Sequence, residues 1–248
     1  MKKNYFLSFI TFIFFSFSIN SQVIVGDGEL VNQNIPIEPY YEYTYSQSIY
    51  SSGLINASGS ITGIKYFATE GTSLDVSSQW VVYMALTDKN SFEDTSDWIP
   101  ISEFTTVYSA TVESPTTISE GVVSITFDTP FEYDGTSNLA IAVEENQPDY
   151  QSFGGGMDFY CFDQGSPVSI AHYSDQVDAD PIEPPTETGF PNFLLLRESL
   201  PNIIFEGITQ SCPTPDVTFS AENITGSSAT INWTVAVSYT HLTLPTIE

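Results

Sequence analysis

Trp80-Val81-Val82-Tyr83-Met84-Ala85-Leu86 is seven apolar residues in a row, with no charge and no helix-breaking residue. A strand with one face in water alternates apolar and polar side chains, because successive residues point to opposite faces. A run this continuous and this short reads instead as a strand buried on both faces. Two β-branched and two aromatic residues argue against a helix. The stretch therefore predicts a buried strand deep in an all-β protein.

Strand signals recur on either side of it, separated by turn residues. Tyr41, Tyr43, Tyr45 and Ile49 share one face of the stretch from Tyr40 to Tyr50. Shared aromatic positions on a strand are the pattern of a core stripe. Ile61 to Phe67 follows an Ala57-Ser58-Gly59 turn. Thr105 to Val112 alternates with Tyr108, Ala110 and Val112 on one face, and Val123, Ile125 and Phe127 alternate in the next strand. Asp134-Gly135 marks a turn before the apolar run Leu139 to Val143. Phe159 to Phe162, Val168 to Tyr173 and Ile203 to Phe205 complete the set. No stretch carries a capped 3.6-residue period. About nine strands without repeats predict two packed antiparallel sheets, a jelly-roll-like β-sandwich. Pro181, Pro184 and Pro185 exclude a central strand from 178–189, which reads as a long surface loop.

The two ends read differently from the body. Lys2 and Lys3 precede an apolar run from Tyr5 to Phe17, and Ser18, Asn20 and Ser21 follow. That order is the pattern of a secretory signal peptide, expected to span residues 1–21 and to be removed. The run is too short for the roughly 20 residues of a membrane span, so no transmembrane segment is expected after cleavage. At the far end, Ser238-Tyr239-Thr240-His241-Leu242-Thr243-Leu244-Pro245-Thr246 resembles a translated sequencing adapter. Residues 237–248 are therefore expected to be an artefact tail. The residues between carry 30 acidic side chains against Lys65, Lys89 and Arg197 alone. Such a charge repels nucleic acid and anionic membranes, so no nucleic-acid partner is expected.

A linker begins at Ser211-Cys212-Pro213-Thr214-Pro215. Beyond it, Asp216 to Thr225 and Ser228 to Thr234 resemble the opening of a fibronectin type III domain, with Ala229, Ile231 and Trp233 in the place of that family's alternating apolar residues and buried Trp. The resemblance implies an incomplete fibronectin type III fragment over 211–236, behind a main domain over 22–210. The main domain has its own resemblance. Ile35 to Tyr41, Tyr45 to Tyr50, Ile55 to Gly59, Val82 to Thr87, Asp97 to Pro100, Thr129 to Leu139 and Asp178 to Pro181 look like an N-terminal β-sandwich module of secreted bacterial surface proteins of the type IX secretion kind. That resemblance implies an extracellular or cell-surface module of a larger protein. The module is expected to be monomeric and not an enzyme, with a binding or adhesive role towards a glycan or a surface protein. The alternatives are a structural spacer and the accessory module of a secreted hydrolase.

Candidate sites follow from side-chain chemistry. Sugar rings stack on exposed aromatic faces, and Trp98 and Tyr150, beside loop residues, are the expected ligand-binding positions. Calcium takes six to eight oxygen ligands. Asp175, Asp178 and Asp180 are spaced to supply some of them from one loop, which makes calcium the candidate cofactor. Export makes a disulfide between Cys161 and Cys212 chemically possible. His172, the only histidine outside the tail, lies in an apolar strand and reads as structural. No nucleophile-elbow serine, His-Glu-x-x-His pair or phosphate loop is present in the sequence, so no catalytic residue is assigned.

Overall fold

The computed structural model describes residues 21–69, 74–112, 121–149, 158–210, 217–225, 228 and 230–235. It divides the chain into two compact units, residues 1–210 and 211–248. The first unit is an all-β, antiparallel sandwich. In chain order its strands are β1 (Gln22–Val25), β2 (Tyr43–Tyr50), β3 (Ala57–Phe67), β4 (Gln79–Thr87), β5 (Thr105–Thr111), β6 (Val122–Tyr133), β7 (Asn138–Glu145), β8 (Cys161–Asp163), β9 (Ser169–Ser174), β10 (Phe193–Arg197), β11 (Ser199–Pro201), β12 (Ile203–Glu206) and β13 (Thr209–Gln210). One sheet has the order β10-β9-β2-β7-β4-β5. The other runs β1-β12-β3-β13, with β6 also paired to β3. β8 and β11 form a separate pair. In the second unit, β14 (Val217–Glu222) and β15 (Thr230–Val235) form an antiparallel hairpin with Phe219 opposite Trp233.

The largest core lies between the two main sheets. Trp80, Val82 and Met84 of β4 and Leu139, Ile141 and Val143 of β7 meet Ile61, Ile64 and Tyr66 of β3, Val123 and Ile125 of β6, and Phe205 of β12. Trp80 is its largest member. It packs with Tyr66 and Phe159 at centroid distances of 6.5 and 6.2 Å, and its Nε1–H donates to Ser77 O at 2.7 Å. A buried indole N–H without an acceptor would be costly, so this bond lets Trp80 sit at the centre.

In Trp80 to Leu86 the face towards the other sheet is buried through Trp80, Val82 and Met84, while the second face is covered only in part: Ala85 is buried, Val81 and Tyr83 are half-buried, and Leu86 is exposed at the strand end. Its second face has an unexpected cover. Tyr83 and Ala85, with Ala140, Ala142, Tyr45 and Ile49, point away from the other sheet. They are roofed by two irregular segments, 88–104 and 175–192, which contribute Phe92, Trp98, Ile99, Phe104 and Ala179. Ala85, Ala140 and Ala142 make a shallow trough there, so large side chains from the roof can settle onto the sheet. The tyrosine stripe accordingly splits. Tyr45 is fully buried, but under the roof rather than inside the sandwich, while Tyr41 and Tyr43 are half-buried.

Other strands depart from the sequence reading for local reasons. Ala57-Ser58-Gly59 is the start of β3, not a turn. The turn comes earlier, in the single helical turn α1 (Ser52–Ile55), capped by Ser51 and closed by Asn56 in the left-handed region. In β5 a bulge opposite Val82 and Tyr83 breaks the expected alternation. It turns Val107 into the core and leaves Ala110 exposed. β10, Phe193–Arg197, was not expected from the sequence; it follows the turn Gly189-Phe190-Pro191-Asn192, where the Gly189 and Asn192 backbone groups bond each other.

The packing sets a contrast within one strand. Trp80→Ala should cost about 3–5 kcal/mol in denaturant unfolding. Leu86→Ala, at a position 39% exposed, should cost under about 1 kcal/mol. Equal losses at the two positions would contradict this core.

Candidate functional site

The roof over the six-stranded sheet is held by a polar device. Gln47, wholly buried in the middle of β2, faces the roof. Its Oε1 accepts from the Ile99 N–H at 2.8 Å, and its Nε2 donates to the Ile99 carbonyl at 2.9 Å. The same Nε2 also lies 2.9 Å from the Tyr45 hydroxyl. One side-chain amide thus satisfies both backbone groups of a buried loop residue, as a neighbouring strand would. This fixes Trp98, the next residue along. Its ring stacks on Tyr45 at 5.0 Å with 25° between the planes, and its Nε1–H donates to Pro185 O at 2.9 Å. The second bond ties segment 88–104 to segment 175–192.

Each segment is also braced internally. The Asp97 carboxylate accepts from the Glu93 N–H and from Lys89 Nζ, both at 2.7 Å. Phe92 N–H donates to Pro167 O at 2.7 Å. In the other segment, Asp180 Oδ1 accepts from the Ile182 N–H at 2.9 Å, and the Glu183 N–H donates to Asp180 O at 3.0 Å. Ala179 plugs the trough beside Tyr45 and Ala142. The loop that the prolines predicted is therefore a built layer.

Where the two segments meet they leave a cleft of about 390 Å³. Trp98, Ile99, Pro100, Pro181, Ile182 and Pro184 give it an apolar lining. Ser96, Glu183 and Thr186 supply polar groups at its rim. Ile182 is 75% exposed, an unusual position for a large aliphatic side chain. The volume falls within the range typical of small-molecule sites.

Of the residues singled out in the sequence, the structure brings Trp98 to the cleft. It is half-buried rather than freely exposed, because Tyr45 and Pro185 occupy part of its surroundings. Tyr150 lies outside the described residues, as do Cys212, residues 1–20 of the expected signal peptide and all of the expected tail 237–248. Cys161 is a buried free thiol. Its Sγ lies 3.6 Å from Phe159 O, and burial pushes its ionisation well up. Asp175, Asp178 and Asp180 follow one another along the roof loop. Among the described residues no three His, Cys, Asp or Glu side chains form a group that could hold a metal ion. His172 is fully buried under the roof, with Nε2 3.0 Å from Asn192 Oδ1, and burial lowers its basicity. It does not line the cleft.

The sequence reading missed Gln47, Ile99, Ile182 and Glu183. Gln47 left a signal, an amide in the middle of an otherwise buried strand. Ile182 and Glu183 left none, since only the approach of two distant loops gives them meaning.

The acidic groups near the roof are electrically strained. Glu145, at the end of β7, is 1% exposed. Its Oε1 accepts from the Gln147 N–H at 2.9 Å. Burial drives its pKa up to about 8. Glu144 is also raised by burial, although Tyr83 donates a 2.6 Å hydrogen bond to it. Asp178 is raised by burial and then by Asp180.

The chain matches no family model and no curated protein. Among the described residues no helix is long and apolar enough to cross a membrane.

Glu145 gives the pH prediction. The folded state holds its proton more tightly than the unfolded chain does. Its contribution to stability is therefore complete below the ordinary carboxylate range and is lost as the pH rises from about 4.5 to about 8. Melting temperature should fall across that window in the wild type. Glu145→Gln should flatten the fall, and an unchanged slope in that variant would contradict the assignment.

Proposed function

We propose that this chain is a non-catalytic, extracellular binding module whose ligand is a glycan held in the cleft beside Trp98. The observation that carries this reading is the lining of the cleft. An indole, three proline rings and Ile182 offer a rigid apolar surface of the kind on which the C–H face of a pyranose stacks. Ser96, Glu183 and Thr186 stand at the edge of that surface, where sugar hydroxyls need hydrogen-bond partners. A few placed polar groups around an apolar lining is the usual make-up of a small-molecule site.

The rigidity of the layer supports the same reading. Trp98 is already held by Tyr45, by Pro185 and through the Gln47 bonds to Ile99. Binding would then order little that is not ordered before, which removes one of the main costs of association. The apolar run behind Lys2 and Lys3 supports export, and a surface dominated by carboxylates suits a protein working in solution outside the cell.

The test is a glycan array with the full chain, run beside two variants. Ile182→Ala should lose binding while its melting temperature stays at the wild-type value, because this side chain stands mostly in solvent. Trp98→Ala should lose binding and stability together, since it also removes the stack on Tyr45. A blank array for the wild type, or full binding by Ile182→Ala, would overturn the proposal and favour a structural spacer.

A further inference from the structure

We infer that the cleft takes an amine-bearing hexosamine polymer, in which free amino groups repeat along a chain of pyranose rings. This rests on the glycan reading above and narrows it by charge. Segment 88–104 carries five acidic residues and segment 175–192 carries five more. Against them stands one base, Lys89, whose ammonium is 2.7 Å from Asp97 and lies over the Phe92 ring at 5.8 Å. Its charge is thus already committed within the roof. Among the described residues lining the cleft there is no Lys, Arg or His, and Glu183 contributes an exposed carboxylate.

This field selects among glycans. Uronate or sulfated chains would bring like charge against Glu183, in a protein with a large excess of acid over base, and be repelled. Neutral chains would gain the apolar contact alone. A chain with protonated amines gains both, because its apolar ring faces and its charges repeat together. Each exposed ammonium–carboxylate contact is worth a factor of roughly 1.5 to 5 in affinity. Screening acts over about 8 Å at physiological ionic strength, so the gain is sensitive to salt. A basic peptide would answer the charge but not the lining, since its flexible side chains lack a rigid C–H face to stack on Trp98 and the prolines.

The experiment is calorimetric titration of the full chain with four probes: glucosamine hexamer, N-acetylglucosamine hexamer, galacturonate hexamer and lysine hexamer, at a pH where the sugar amine is protonated. The glucosamine oligomer should bind tighter than its acetylated form, with the gap closing as salt is raised. Glu183→Gln should weaken the glucosamine oligomer by roughly twofold to fivefold and leave the acetylated one unchanged. Ile182→Ala should weaken both. Equal or tighter binding of the acetylated oligomer, still lost in Ile182→Ala, would overturn the amine preference while leaving the glycan reading intact. Lysine hexamer binding as tightly as glucosamine hexamer, with neither affected by Ile182→Ala, would mean bulk charge attraction and would also overturn it. Binding of none of the sugars would end both readings.

Discussion

Gln47 sits in a strand that is buried on both sides, and its amide makes two hydrogen bonds to a single loop residue, Ile99. The roof depends on this contact. The outer face of the six-stranded sheet is too apolar to leave in water, with Ile49, Ala85, Ala140, Ala142 and Ile170 all on it. Covering it with irregular chain buries backbone groups that no sheet ladder can satisfy, each costing about 1–3 kcal/mol if left alone. Gln47 satisfies the pair at the deepest point. Trp98 can then lie against Tyr45 and reach Pro185, and the cleft is the space that remains between the two segments so joined.

The same arrangement shows how much could be read from the chain. That β4 has cover on both faces was legible in Trp80 to Leu86, because an open face calls for polar residues, although on the second face the cover is complete only at Ala85. The antiparallel sandwich followed from alternation in β6 and from the apolar run in β7. The identity of the second cover was not legible. Continuous apolarity says that a face is hidden, not what hides it, and a roof of loops leaves no periodicity of its own. Tyr45 illustrates the limit. Its burial could be inferred from the stripe, but its place under Trp98 depends on residue 98 returning across the sheet.

The site was legible in one residue and illegible as a site. Trp98 stood out because an aromatic beside loop residues invites a binding role. Ile182 and Glu183 sit in a proline-rich stretch whose composition announces only a loop. The ten acids of the roof were legible as charge. Which of them stands at the cleft was not: only Glu183 lines it, and Asp97 is spent on Lys89.

The roof is part of the folded sheet and not a loose surface loop. Native-state hydrogen exchange of the Ile99 amide tests this most directly. Its N–H is bonded to the buried Gln47 side chain, so it should exchange only with the global unfolding that releases core amides such as those of Val82 and Ile141. Exchange at the rate of an open loop, while those core amides stay protected, would mean that the roof opens independently of the sheet.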